Sequence, residues 1–83
     1  MLNIYRAVIS SCFYYHKHKC IICDEINIVA VHHFDFNNKN NEPDNLIPMC
    51  PTHHQYMHSR FRELIDKKVI EYRQSFLKKF RST

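Results

Sequence analysis

The chain contains no glycine. Any turn that needs a positive φ must therefore use a residue with a β-carbon, and asparagine tolerates that region best. The run NNKNNEPDN, residues 37–45, is expected to supply such turns. Long apolar runs are missing too, and none approaches the length that spans a bilayer. The opening MLNIYRAVIS carries Arg6 and lacks both a sustained apolar stretch and a small-residue cleavage site, so no secretory leader is expected. The expectation is a cytoplasmic protein with no membrane partner. The even count of four cysteines would allow two disulfides, but thiols inside a cell stay reduced. Metal ligands or small buried hydrophobes are then the better reading.

What remains is short. With 83 residues the chain is read as one domain, 1–83, of a size that is marginal on core packing alone. Domains this small add a disulfide, a metal or a partner. The 45% hydrophobic content excludes disorder as the main state. A net charge of +4 and a pI of about 9.0 lean toward a polyanionic partner.

Apolar residues at Ile4, Val8, Ile9, Cys12 and Tyr15 have helical spacing, which predicts a helix over 3–16 with Asn3 as its cap. His16, Lys17, His18 and Lys19 would give that helix a positive C-terminal end. Residues 20–25 read as a tight turn, and the β-branched run 26–34 as a strand. After the Asn-rich loop, 45–49 reads as a second short strand whose pairing Pro48 limits. Pro51 suits the first position of a helix reaching about His58. A last helix is expected over 60–80, with a stripe of Phe61, Leu64, Ile65, Val69, Tyr72, Phe76 and Phe80, and with Asp66 capping a restart. The parts are an N-terminal helix (1–19), a central core (20–58) and a C-terminal helical segment (59–83). The fold class is α+β.

Two half-sites stand out. Cys20-x-x-Cys23 and Cys50-x-x-His53 each place two ligands on one tight knuckle. Three thiolates and one imidazole make a closed tetrahedral set, the pattern of structural zinc. Such an ion would add folding energy that the core lacks. Cys12 has no partner at ligand spacing and is assigned to the core of the first helix.

Five of the seven histidines lie between residues 32 and 58. His54 and His58 are one helical turn apart, so they share a face, while His53 is rotated toward the cysteines. His32 and His33 are adjacent on a strand. Either one faces away, or the strand ends there and both converge. Two histidines could then divide the work, one as a neutral metal ligand and one as a proton acceptor.

The segment 20–58 resembles the HNH nuclease family, also called the ββα-metal or His-Me finger. The resemblance is carried by His32-His33, by Asn45 in NLIPMC, and by His54 with the further His58. It is closest to the subgroup with a second helical histidine, as in colicin-type nuclease domains. Zinc knuckles flank the motif in many zinc-bearing members, where CxxCH is common; this chain has CPTHH, with His53 at the usual cysteine position. The resemblance implies a zinc-stabilised ββα-metal motif between two helices. It implies His33 as general base, and His32, His54 and His58 as ligands of one catalytic divalent ion. That ion would be Zn2+, Mn2+, Ni2+, Co2+ or Mg2+, with imidazoles favouring the first four. Asn45 would pin the loop and orient the base, or contact the metal. The implied reaction is DNA phosphodiester hydrolysis leaving a 5′-phosphate and a 3′-hydroxyl. The alternative is a zinc-stabilised nucleic-acid-binding module without catalysis.

Arg60, Arg62, Lys67 and Lys68 follow the site directly and are candidates to contact DNA phosphates, double-stranded DNA being the implied partner. Arg73, Lys78, Lys79 and Arg81 extend the series, with Lys17 and Lys19 before the knuckle. Glu63, Asp66 and Glu71 interleave, as on a solvated helix face. Asp35 and Asp44 are read as turn residues. A cut through both strands would require a homodimer, for which the two outer helices offer apolar stripes.

Overall fold

The computed structural model describes residues 4–81, with side chains for 7–80. Three helices, α1 (Ile4–Tyr15), α2 (Pro51–Met57) and α3 (Asp66–Arg81), surround a two-stranded antiparallel sheet of β1 (Ala30–His33) and β2 (Leu46–Met49). The α+β expectation holds at that level. No helix among the described residues is long and apolar enough to cross a membrane.

The sheet is covered on both faces. All four residues of β2 are buried. Strand neighbours alternate between faces, and the two cores follow that alternation. Leu46 and Val31 join Cys12 of α1, with Val8, Ile9 and Phe13 packed around them. Ile47 and Met49 join Met57, Ile65 and Val69 of the later helices. Cys12 is fully buried, as expected, and burial pushes its thiol up to about 12. Asn3, the expected cap of α1, lies outside the described residues, as do the side chains of Ile4 and Arg81.

Pro48 pairs with Val31 without harming the ladder. The bond from Phe34 N–H to the Asn45 carbonyl makes 34 and 45 a bonded pair. Bonded pairs alternate along an antiparallel ladder, so the proline nitrogen falls where a partner is not required. Its carbonyl accepts instead from Ile21 N–H at 3.2 Å, which ties the cysteine knuckle to the outer edge of β2.

Several expectations are corrected. The strand expected over 26–34 shrinks to Ala30–His33, because the four-residue β2 leaves nothing for the earlier residues to pair with. Ile26 and Ile28 are accordingly exposed. The last helix is not continuous. Arg60–Leu64 winds as a 3-10 turn capped by Ser59, whose hydroxyl accepts from Phe61 N–H, and α3 starts at Asp66. That change of winding carries Ile65 and Val69 inward but leaves Phe61 and Leu64 exposed, with Phe80 exposed at the far end. The positive end foreseen for α1 is also different. His16 is buried, its Nδ1 2.6 Å from the Tyr72 hydroxyl and its Nε2 2.8 Å from the Pro43 carbonyl. Burial lowers its pKa, so it joins α1 to α3 and the loop as a neutral group.

The Asn-rich loop does not use asparagine for positive φ. Among the described residues, Asp24 (φ 67°) and Phe36 (φ 63°) adopt it. The asparagines act through their side chains. Lys39 N–H donates to Asn37 Oδ1 and Glu42 N–H to Asn40 Oδ1, closing local turns that replace backbone pairing.

Candidate metal centres

The first cluster forms where the knuckle meets α2. Cys20 N–H donates to the Glu25 carbonyl, Asp24 N–H donates to the Cys20 carbonyl, and Ile22 N–H points at Cys20 Sγ. A left-handed residue closes this turn, and Asp24 fills the position that a glycine-free chain cannot give to glycine. On the other side, Cys50 is the extended N-cap of α2 and Pro51 begins the helix. One turn later His53 faces back.

The donor atoms of Cys20, Cys23, Cys50 and His53 all lie within 4.8 Å of one another and could hold a metal ion. The spacings are informative. Cys23 and Cys50 sulfurs are 3.7 Å apart, while His53 Nδ1 is 3.1 Å from Cys50 Sγ and 3.8 Å from Cys20 Sγ. Tetrahedral bonds of about 2.3 Å to sulfur would set two thiolates about 3.8 Å apart. The four cysteines of the described chain are free thiols. Burial opposes ionisation of Cys20, but hydrogen bonds from the backbone of Cys50, Cys23 and Ile22 outweigh it and lower its pKa. Cys23 moves the other way. The Glu25 backbone favours its thiolate, but desolvation and the neighbouring Cys50 and Cys20 sulfurs raise it. Crowded thiols that cannot all ionise are what a bound cation resolves.

The second cluster uses the opposite side of the same helix. His32 points from β1 toward His54 and His58, its ring centroid 5.4 and 5.8 Å from theirs. His54 and His58 bring their Nε2 atoms to 3.2 Å. Two imidazoles on one tetrahedral ion with bonds of about 2.05 Å would stand about 3.3 Å apart. The ligand atoms of all three residues lie within 4.8 Å.

His32 makes the strongest case. It is 1% exposed, and neither ring nitrogen has a hydrogen-bond partner. Buried polar atoms are almost always paired. Desolvation, then the charges of His54, His58, His33 and Arg62, lower its pKa to about 4. His54 is lowered as well, first by burial and then by His58 and His33. Both rings are therefore neutral near pH 7, the state in which imidazole binds metal.

His33 ends β1 and turns toward the loop. Its Nε2 is 2.8 Å from Asn41 Oδ1. With a carbonyl oxygen as acceptor, Nε2 carries the proton and Nδ1 is left basic. The charge of His33 acts on both His32 and His54, which places it beside the cluster. Of the two arrangements open from the sequence, His32 is the inward ring and His33 the flanking one.

Asn45 is buried beneath the loop rather than among the histidines. Its Oδ1 accepts from Asp35 N–H, and its Nδ2 donates to Asp35 Oδ1 and to the Asn40 carbonyl. Asp35, held by the Asn40 side chain, Asn37 N–H and Asn45, drops to about 2. These bonds fix the loop that presents Asn41. Asp44 pairs with Arg73 at 3.4 Å, and Arg73 lies over Phe34, so that arginine is occupied in joining α3 to the loop.

Among the candidate DNA contacts, Arg62 is the one whose charge acts on His32. Arg60 lies over Phe61, Lys67 pairs with Glu71 at 4.0 Å, and Lys68 is exposed. Two residues were missed from sequence. Asn41 carried no signal apart from its loop, and Phe36 carried none. A cavity of about 470 Å³ near Tyr15, His16, Tyr72 and Phe76 borders the cysteine knuckle through Ile21 and Asp24 but is lined by none of the candidate ligands. No family model matches the chain, and no curated protein or solved structure is found to be similar to it.

Proposed function

We propose that the chain is a metal-dependent endonuclease of the HNH type, acting on DNA, and that the cysteine site holds a structural zinc. The observation that supports this most is the buried, unpartnered His32 facing His54 and His58, with His33 held beside them. A purely structural protein gains nothing from an imidazole whose two nitrogens are both desolvated. The donor set fits a divalent ion that keeps an open position, since three protein ligands leave room for one more. Such an ion supplies Lewis-acid stabilisation of the phosphate and the leaving oxygen.

The chain's own residues do the rest. His33 Nδ1 accepts a proton from the attacking water, while the Asn41 bond at Nε2 fixes the tautomer and the ring plane. Asn45 holds the loop that carries Asn41. Arg62 offers a guanidinium to the phosphate backbone.

The test is conversion of supercoiled plasmid to the open circular form with added manganese or magnesium. Wild type should nick, and His33→Ala should not, with both proteins folded and equally metal-loaded. Asn41→Ala should nick more slowly. If the wild type fails under every divalent ion yet shifts DNA on a gel, the protein is a binding module and the nuclease reading is wrong.

A further inference from the structure

We propose that Phe36 is a positioning residue: its ring holds the Arg62 guanidinium beside the three-histidine cluster, ready to contact a phosphate of the bound DNA strand. This deepens the nuclease reading and rests on it.

Phe36 sits where a phenylalanine is costly. Its φ is 63°, a left-handed value that a bulky side chain adopts only under constraint. A turn alone would be better served by asparagine, and Asn37 and Asn38 stand next in the chain. The ring is 43% exposed, so core filling does not explain it either. What the left-handed turn achieves is placement. The ring meets His32 edge-on at 5.1 Å and His58 at 5.4 Å. Its face carries the guanidinium carbon of Arg62 at 5.0 Å from the centroid.

Arg62 has one further support. Its Nε lies 3.9 Å from Asp66, a long ion pair on a half-exposed side chain. The Nη groups have no acceptor among the described residues. The arginine is thus held by the Phe36 ring and, lightly, by Asp66. A planar guanidinium stacked on an aromatic keeps its donors in a fixed plane, which suits a phosphate oxygen pair. A lysine ammonium can also lie over a ring but presents no such planar pair of donors.

The test is DNA binding as a function of salt. Anisotropy of a labelled duplex is measured in the His33→Ala background, so that bound DNA stays intact. Each phosphate contact contributes about 0.9 to the slope of log affinity against log salt. Arg62→Gln should lower the slope by about that amount. Phe36→Leu should move the slope in the same direction and weaken binding about two- to fivefold. The double variant should be no worse than Arg62→Gln alone, and Phe36→Tyr should restore the slope. Cobalt absorption checks that both metal sites are intact in each variant. If Phe36→Leu does not fold, Phe36→Met serves instead, since it keeps apolar bulk beside His32 and His58 but offers Arg62 no ring face, and the same loss of slope is expected.

The proposal is overturned if the two single effects multiply, or if Phe36→Leu weakens binding with an unchanged slope. The second result would mean that the ring itself stacks on a base. Failure of the folded protein to bind DNA at all overturns it as well. A wild type that binds with the expected coupling but never nicks leaves the Phe36–Arg62 contact standing and removes the nuclease reading.

Discussion

Replacing His32 by leucine should make the protein more stable while destroying the histidine cluster. The magnitude follows from burial. Leaving a buried polar group unpaired costs about 1–3 kcal/mol, and both nitrogens of His32 are in that position. Leucine removes the penalty and adds apolar contact, less up to about 1.5 kcal/mol for imperfect packing. A net gain of about 1–2 kcal/mol corresponds to a melting temperature higher by roughly 4–15 °C for a domain of this size. The gain should also grow in acid. In the unfolded chain His32 takes up a proton below its ordinary 6.5, whereas in the fold it resists until about 4. Its depressed value means that stability is lost as pH falls from above 6.5 toward 4, and the variant escapes that loss. Between pH 7 and about pH 5.5 the gap should widen by about 1 kcal/mol. The assay is thermal unfolding by circular dichroism, on protein shown to carry a single equivalent of metal in the cysteine site. A lower melting temperature for His32→Leu, or a gap indifferent to pH, would refute the reasoning, because the nitrogens would then be satisfied in solution by something other than an added ion.

Cys50→Ser should cut metal stoichiometry by one equivalent and leave the chain largely unfolded by far-ultraviolet circular dichroism, since the ion would tie the knuckle to the residue from which α2 starts. Asn45→Ala removes three loop hydrogen bonds and should destabilise by about 1–3 kcal/mol in a denaturant titration, with faster amide exchange over the loop. Asp24→Gly should raise stability by a few tenths to about 1 kcal/mol, because glycine takes the left-handed turn without a β-carbon clash; loss of the exposed Lys19 ion pair is too weak to reverse it.

Much of this was legible from spacing. Cys-x-x-Cys and Cys-x-x-His are local geometry, and so is the one-turn offset of His54 and His58, so the cysteine cluster and that histidine pair could be named from spacing, whereas His32 as their third member came from the family resemblance. The helices α1 and α2 followed from apolar period and from Pro51. What was not legible depended on partners distant in sequence. The strand 26–34 had the right composition, but its start was set by the end of β2, where Met49 pairs with Ala30. The same is true of His16, whose basic neighbours suggested a charged cap until Tyr72 and Pro43 took both ring nitrogens. The Asn-rich loop misled for another reason. Asparagine relieves the backbone in two ways, and sequence does not say whether a given residue will do so by its dihedral or by its amide. Phe36 broke a local rule, and rule-breaking residues are found only when φ is measured.

Helix α2 is seven residues long and serves both clusters, with His53 turned one way and His54 the other. So short a rod cannot rotate for one ion without moving the ligands of the other. With an ion in each, the two sites would be thermodynamically linked: whatever factor an ion in the cysteine site applied to affinity at the histidine site, the second ion would apply to the first. That factor would be read by titrating the histidine site with the cysteine site empty and again with it filled.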